Sequence, residues 1–187
     1  MEDKFQKTAL GAVSELKQVF ERIQIKDVDI LLQKIQEKSR IFLLGAGREG
    51  IAVRAFTMRL MHLGKEVHWI WDETTPAVQE GDLFICACGS ADVGHENYIC
   101  KMAKEAGAEL LLITPANTGY LLEIADYIVQ VPAEAYKAQG DFVPTQQLMG
   151  NLFEQALFIF FDVVIMLLKE ELHISSKEMV ARHRNVE

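Results

Sequence analysis

Cysteine is scarce: Cys86, Cys88 and Cys100 are the three in 187 residues, too few for a framework of several disulfides. Cys86 and Cys88 form a Cys-x-Cys pair, but no second Cys/His pair lies nearby in sequence. They therefore read as small buried residues in a reducing compartment rather than as a metal site. An excess of positive charge is also missing. Lys and Arg number 19 against 27 Asp and Glu, a formal charge of −8, so nucleic acid is not expected as a partner, because phosphate backbones require a basic face. The first residues are charged and lack an apolar h-region, so no signal peptide is expected. The one long apolar run, Leu148–Leu168, carries Glu154 and Asp162, which a bilayer would penalise. It reads instead as a helix buried between the domain and a partner subunit. The expectation is a cytoplasmic homo-oligomer, dimer or tetramer, with no membrane or nucleic-acid partner.

What is present is apolar and periodic. Half of the residues are hydrophobic, enough for one real core. Residues 3–22 carry a helical stripe of Phe5, Ala9, Ala12, Val13, Leu16, Val19 and Phe20, and a second helix over about 27–38 buries Val28, Leu31, Leu32 and Ile35. Short apolar runs at 40–44, 66–71, 83–88, 109–114 and 127–131 then suit buried strands. Helical patterns at 48–63, 94–106 and 118–125 lie between them, and the link 72–82 reads as a loop. A polar loop over 132–145, a long helix over about 146–171 and a short helix capped by Ser175 or Ser176 complete the chain. This alternation predicts a single α/β domain over 1–187. Its expected architecture is a three-layer α-β-α sandwich around a five-stranded parallel sheet, flavodoxin-like or Rossmann-like.

Ligands of such sheets bind at the carboxyl ends of the strands, near the point where strand order reverses. The first candidate is Gly45-Ala-Gly-Arg-Glu-Gly50, a strand-to-helix turn with Asp72 lying 22 residues beyond Gly50. This is the spacing of a dinucleotide fingerprint, and it equally suits a sugar phosphate. The second candidate is Gly89-Ser-Ala-Asp-Val-Gly94, where Ser90 and backbone amides could hold a phosphate and Asp92 could alternatively cap the next helix. The third, Asp72-Glu-Thr-Thr-Pro76, offers hydroxyls and carboxylates at the rim. Arg48 sits at the first loop and can reach a ligand. Arg59 lies about 16 Å further along the helix and suits an interface or a salt bridge. Two small-residue loops at neighbouring strand ends are more specific than either alone.

Gly45-Ala-Gly-Arg48, the run Met58-Arg-Leu-Met-His-Leu-Gly64, Glu73-Thr-Thr-Pro76, Met149-Gly-Asn-Leu-Phe-Glu154 and the tail Arg182-His-Arg-Asn-Val-Glu187 together resemble the 6-phospho-3-hexuloisomerase branch of the sugar isomerase (SIS) domain family. The resemblance covers about residues 3–187. It implies interconversion of 3-hexulose 6-phosphate and fructose 6-phosphate through an enediol, with neither metal nor nucleotide cofactor. It places the general base on Glu154 and a histidine, contributed across a subunit interface, on His183. It places substrate binding on Gly47, Arg48, Glu49, Gly89, Ser90, Ala91, Asp92, Val93 and Gly94. The loops depart from the family pattern. Glu49 stands at a usual serine, and Gly89-Ser-Ala-Asp-Val93 stands for Gly-Ser-Gly-Glu-Thr. These departures motivate one alternative, a module that binds an altered sugar derivative without turnover, and the glycine turn with Asp72 leaves a second, a nucleotide-dependent enzyme.

Overall fold

Short runs rich in branched and aromatic residues, buried on both faces, form a parallel sheet because helices can cover each side. The computed structural model describes residues 2–186. Its strands are β1 (Arg40–Gly45), β2 (Glu66–Trp69), β3 (Leu83–Ala87), β4 (Glu109–Thr114) and β5 (Tyr127–Gln130). They pair in parallel in the order β2-β1-β3-β4-β5. The order reverses between β1 and β3. There the register pairs Gly45 with Ala87, which sets the two loops that follow these strands side by side.

The helices are α1 (Glu2–Arg22), α2 (Ile25–Glu37), α3 (Gly47–His62), α4 (Gly94–Glu105), α5 (Tyr120–Ile124), α6 (Asn151–Glu171) and α7 (Ser176–Ala181). Alternate strand residues enter opposite faces of the sheet. Ile41, Leu43 and Ile85 pack with Phe56 of α3 and Phe153, Phe160 and Val164 of α6. Phe42, Leu44, Phe84 and the free thiols Cys86, Cys88 and Cys100 fill the other face beneath α4 and α5. Phe56 stacks on Phe161 with ring centroids 4.3 Å apart, joining α3 to α6.

Three elements depart from the sequence expectation. The long C-terminal helix begins at Asn151, not near 146, because Met149 (φ 51°) and Gly150 (φ 84°) take left-handed backbone that an α-helix cannot continue through. A Cβ at position 150 would come within 2.7 Å of the Tyr136 amide nitrogen, so glycine is required there. Helix α5 covers 120–124 only, starting after Gly119 (φ 139°). The stripe on α1 is only partly buried: Val19 is in the core, whereas Phe5 and Val13 are exposed. Helix α6 is long and apolar enough to cross a membrane by length and composition. In this fold it is a core helix that carries Glu154 and Asp162.

Candidate functional site

The glycines of the first loop serve backbone approach. A Cβ on Gly50 would lie 2.6 Å from the Gly45 carbonyl oxygen, and Gly47 has φ 53°. The chain can therefore leave β1 and enter α3 within one residue, as the sharp turn requires. The loop after β3 is held as tightly. A Cβ on Gly89 would meet Ala135 Cβ and Glu49 Oε1 at 2.7 Å each. Ala91 is fully buried at φ 53°, and its carbonyl accepts the Leu121 amide at 2.9 Å, so α5 braces this turn. Ser90 Oγ accepts the Asp92 amide at 3.3 Å. Asp92 Oδ1 accepts the Asn97 side-chain amide at 2.6 Å. The N-cap of α4 is Val93, with no side-chain cap, followed by Gly94. Asp92 thus orders the loop through Asn97 and is not the cap.

Three acids, each in the first turn of a helix, gather around these loops: Glu49 of α3, Glu96 of α4 and Glu154 of α6. Glu49 Oε2 accepts the Gly89 amide at 3.0 Å, bridging the two loops. Burial pushes its carboxyl up to about 8 despite that hydrogen bond, with Glu96 and Glu154 adding to the rise. Glu96 is 0 % exposed, its carboxyl is set against the Cys88 thiol and the Ala46 backbone, and burial raises its pKa. Glu154 is largely buried, and its Oε2 lies 2.6 Å from Arg48 Nε. Burial raises this carboxyl too, with Arg48 pulling the other way. Arg48, Ile51, Glu154, Gln155 and Phe158 line a cavity of about 240 Å³. A protonatable carboxyl beside a cation in a small cleft suits proton transfer on a polar substrate.

The structure brings Gly47, Arg48, Glu49, Gly89 and Glu154 together, with Ser90, Ala91, Asp92, Val93 and Gly94 on the adjoining loop. It does not bring His183 there. That imidazole stacks on His62, centroids 5.1 Å apart, at the far end of α3. Arg182 anchors it: Nη1 donates to the His62 carbonyl at 3.1 Å, and Cζ lies 3.1 Å from where a Gly64 Cβ would be. Asp72 is occupied locally, accepting the Thr74 amide at 2.9 Å and the Thr74 hydroxyl at 2.7 Å. Arg59 Nη1 lies 3.5 Å from His62 Nδ1, a contact within the helix rather than the expected interface or salt bridge. Sequence reasoning missed Glu96, whose only signal is an acid in a helix's first turn. It also missed a hollow of about 400 Å³ on the other side of the glycine turn, between Arg54, Trp69, Trp71 and His95. Among the described residues no group of three or more His, Cys, Asp or Glu could hold a metal ion.

A parallel sheet of order 2-1-3-4-5, two tight loops at its reversal point and a carboxyl on the helix packed beside them define a doubly wound α/β domain with a ligand site at that point. Comparison with known proteins narrows this. The 3-hexulose-6-phosphate isomerase of Mycobacterium gastri is 35% identical over 166 residues, covering 89% of this chain and 83% of that protein. That of Bacillus subtilis is 33% identical, covering 88% and 89%. The crystal structure of a Methanococcus jannaschii protein, from which a 3-hexulose-6-phosphate isomerase function was inferred, superposes with TM-score 0.80 at 28% identity, covering 98% of this chain and 99% of that one. No family model matches. The chain belongs to the 6-phospho-3-hexuloisomerase branch of the sugar isomerase family.

Proposed function

We propose that this protein interconverts 3-hexulose 6-phosphate and fructose 6-phosphate through an enediol. The observation that carries the reading is Glu154: a largely buried carboxyl with raised pKa, held by Arg48 at the wall of a cleft beside the β1 loop. In the direction of fructose 6-phosphate, its carboxylate removes the proton from C2, beside the C3 carbonyl. The electron pair forms the enediol while the C3 oxygen gains a proton. Return of a proton to C3 and loss of the C2 hydroxyl proton then leave the carbonyl at C2, so atoms and charge balance. Ser90 and the loop amides are assigned to the substrate's phosphate end.

His183 is assigned to a substrate oxygen in the site of a second copy. Its support is distance: the residue lies at the opposite end of α3 from Arg48, roughly 20 Å along the axis, too far to serve its own chain's Glu154. The reading places the protein in the cytoplasm as a dimer or tetramer, in keeping with its free buried thiols and the uncovered apolar side chains of α1 and α6. The test is conversion of fructose 6-phosphate to the 3-hexulose. Glu154→Gln is expected to lower kcat by about 10²–10⁴. Undiminished turnover in that variant removes Glu154 from the mechanism. A second reading, binding of an altered sugar derivative without turnover, is favoured by Glu49 at the Gly89 amide. Saturable binding with no turnover at high enzyme concentration selects it.

A further inference from the structure

The place between the two loops where an incoming anion would find an amide is already taken. Glu49 Oε2 accepts the Gly89 amide at 3.0 Å, while Oε1 lies 2.7 Å from where a Cβ on residue 89 would stand, a place that glycine leaves open. This carboxyl bridges two elements that the β1–β3 register sets side by side, at the strand-order reversal where ligands enter. A second feature bears on the same spot from below. Glu96 is completely buried, with its carboxyl set against the Cys88 thiol and the Ala46 backbone amide. Glu154 closes the third side, and the cation nearest to it, Arg48, is engaged by it.

We propose that Glu49 is the specificity-determining residue of this site: its carboxyl stands in for the ligand's anionic end at the Gly89 amide, so a phosphosugar binds there only by displacing it. The inference deepens the isomerase reading, which it uses only for the choice of probe.

The charge state of Glu49 then governs entry. Glu96 faces it from α4, Glu154 from α6, and Cys88 from the residue after β3 as a thiol that burial keeps neutral, while Arg48 on its own helix is paired with Glu154. With its pKa pushed up to about 8 by burial, Glu49 is neutral in mildly acidic solution. It then yields the amide without repelling a phosphate. Above that pH it is a carboxylate holding the amide with a full charge. Phosphate affinity therefore falls as pH rises. The phosphate's own second ionisation, at about 6, lies about two units lower and persists in Glu49→Gln, so that variant separates the two effects.

The experiment is titration calorimetry with fructose 6-phosphate, and with fructose as an uncharged probe, at pH 6.5 and pH 9. It uses the intact protein, Glu49→Gln and Glu49→Ser. The intact protein is expected to lose about tenfold or more in fructose 6-phosphate affinity between the two pH values. Glu49→Gln is expected to abolish that loss. Glu49→Ser, which vacates the amide, is expected to bind about tenfold tighter than the intact protein at pH 9. Fructose binding should not follow this pattern. An equal pH loss in Glu49→Gln, no gain in Glu49→Ser, or no fructose 6-phosphate binding by any of the three proteins overturns the proposal. The isomerase assay on the same samples separates the two claims. The binding pattern without turnover overturns the isomerase reading alone, and turnover without the pattern overturns the role of Glu49 alone.

Discussion

Glu49, Glu96 and Glu154 each occupy a first helical turn, where the helix dipole favours a negative charge by about 0.3–1 kcal/mol. Yet all three carboxyls titrate above their ordinary value, with burial as the leading cause. One pKa unit corresponds to about 1.4 kcal/mol, so desolvation outweighs the dipole here. A carboxyl raised in the folded state favours folding below its unfolded value near 4.5, and this contribution is lost as pH rises toward about 8. Glu49→Gln is therefore expected to raise the melting temperature by roughly 2–8 °C at pH 8.5, and by much less at pH 5, read by calorimetry at both pH values. Arg48 acts in the opposite sense on Glu154. Its removal in Arg48→Met is expected to move the acid limb of the kcat/KM–pH profile upward, and an unmoved limb counts against the pairing.

At the scale of elements, periodicity located every strand and helix, because burial on two faces or on one stripe is written directly into residue order. Strand β4 falls on 109–114 as expected. What periodicity does not carry is backbone handedness. Apolar spacing continues through Leu148 and Met149, yet left-handed Met149 and Gly150 postpone α6 to Asn151 and so put Glu154 in its first turn. The glycines, Arg48 and Glu154 of the site were legible as motifs. Glu96 was not, since residue order alone does not reveal which acid of a neighbouring helix will be buried beneath a loop. The cap of α7 was legible: Ser175 Oγ accepts the Glu178 amide at 3.2 Å, and Glu178 accepts the Ser175 amide at 2.8 Å, a reciprocal capping box. Ser175→Ala is expected to cost about 1 kcal/mol in denaturant unfolding. It should also loosen the tail that Arg182 pins over Gly64, seen as faster amide exchange across 176–184.

For the whole molecule, the exposed apolar side chains matter more than the core. Phe158, Ile159, Val163 and Met166 follow one another along α6, with Met166 64 % exposed, and Phe5, Leu10 and Val13 are uncovered on α1. Exposed apolar side chains in this number are what the proposed assembly would cover. The proposed assembly predicts a sedimentation mass that is a multiple of 21.1 kDa, reduced to one chain by Val163→Asp combined with Met166→Asp. An unchanged mass in that double variant places the interface elsewhere.

The His62–His183 stack fixes one further consequence. An imidazole held at one end of α3 while the carboxyl waits at the other cannot complete a site alone, so in the proposed mechanism every working centre is a shared object. Turnover per chain then stops being a constant of the polypeptide. Below the dissociation constant of the assembly it falls in proportion to dilution, and the total rate scales with the square of protein concentration.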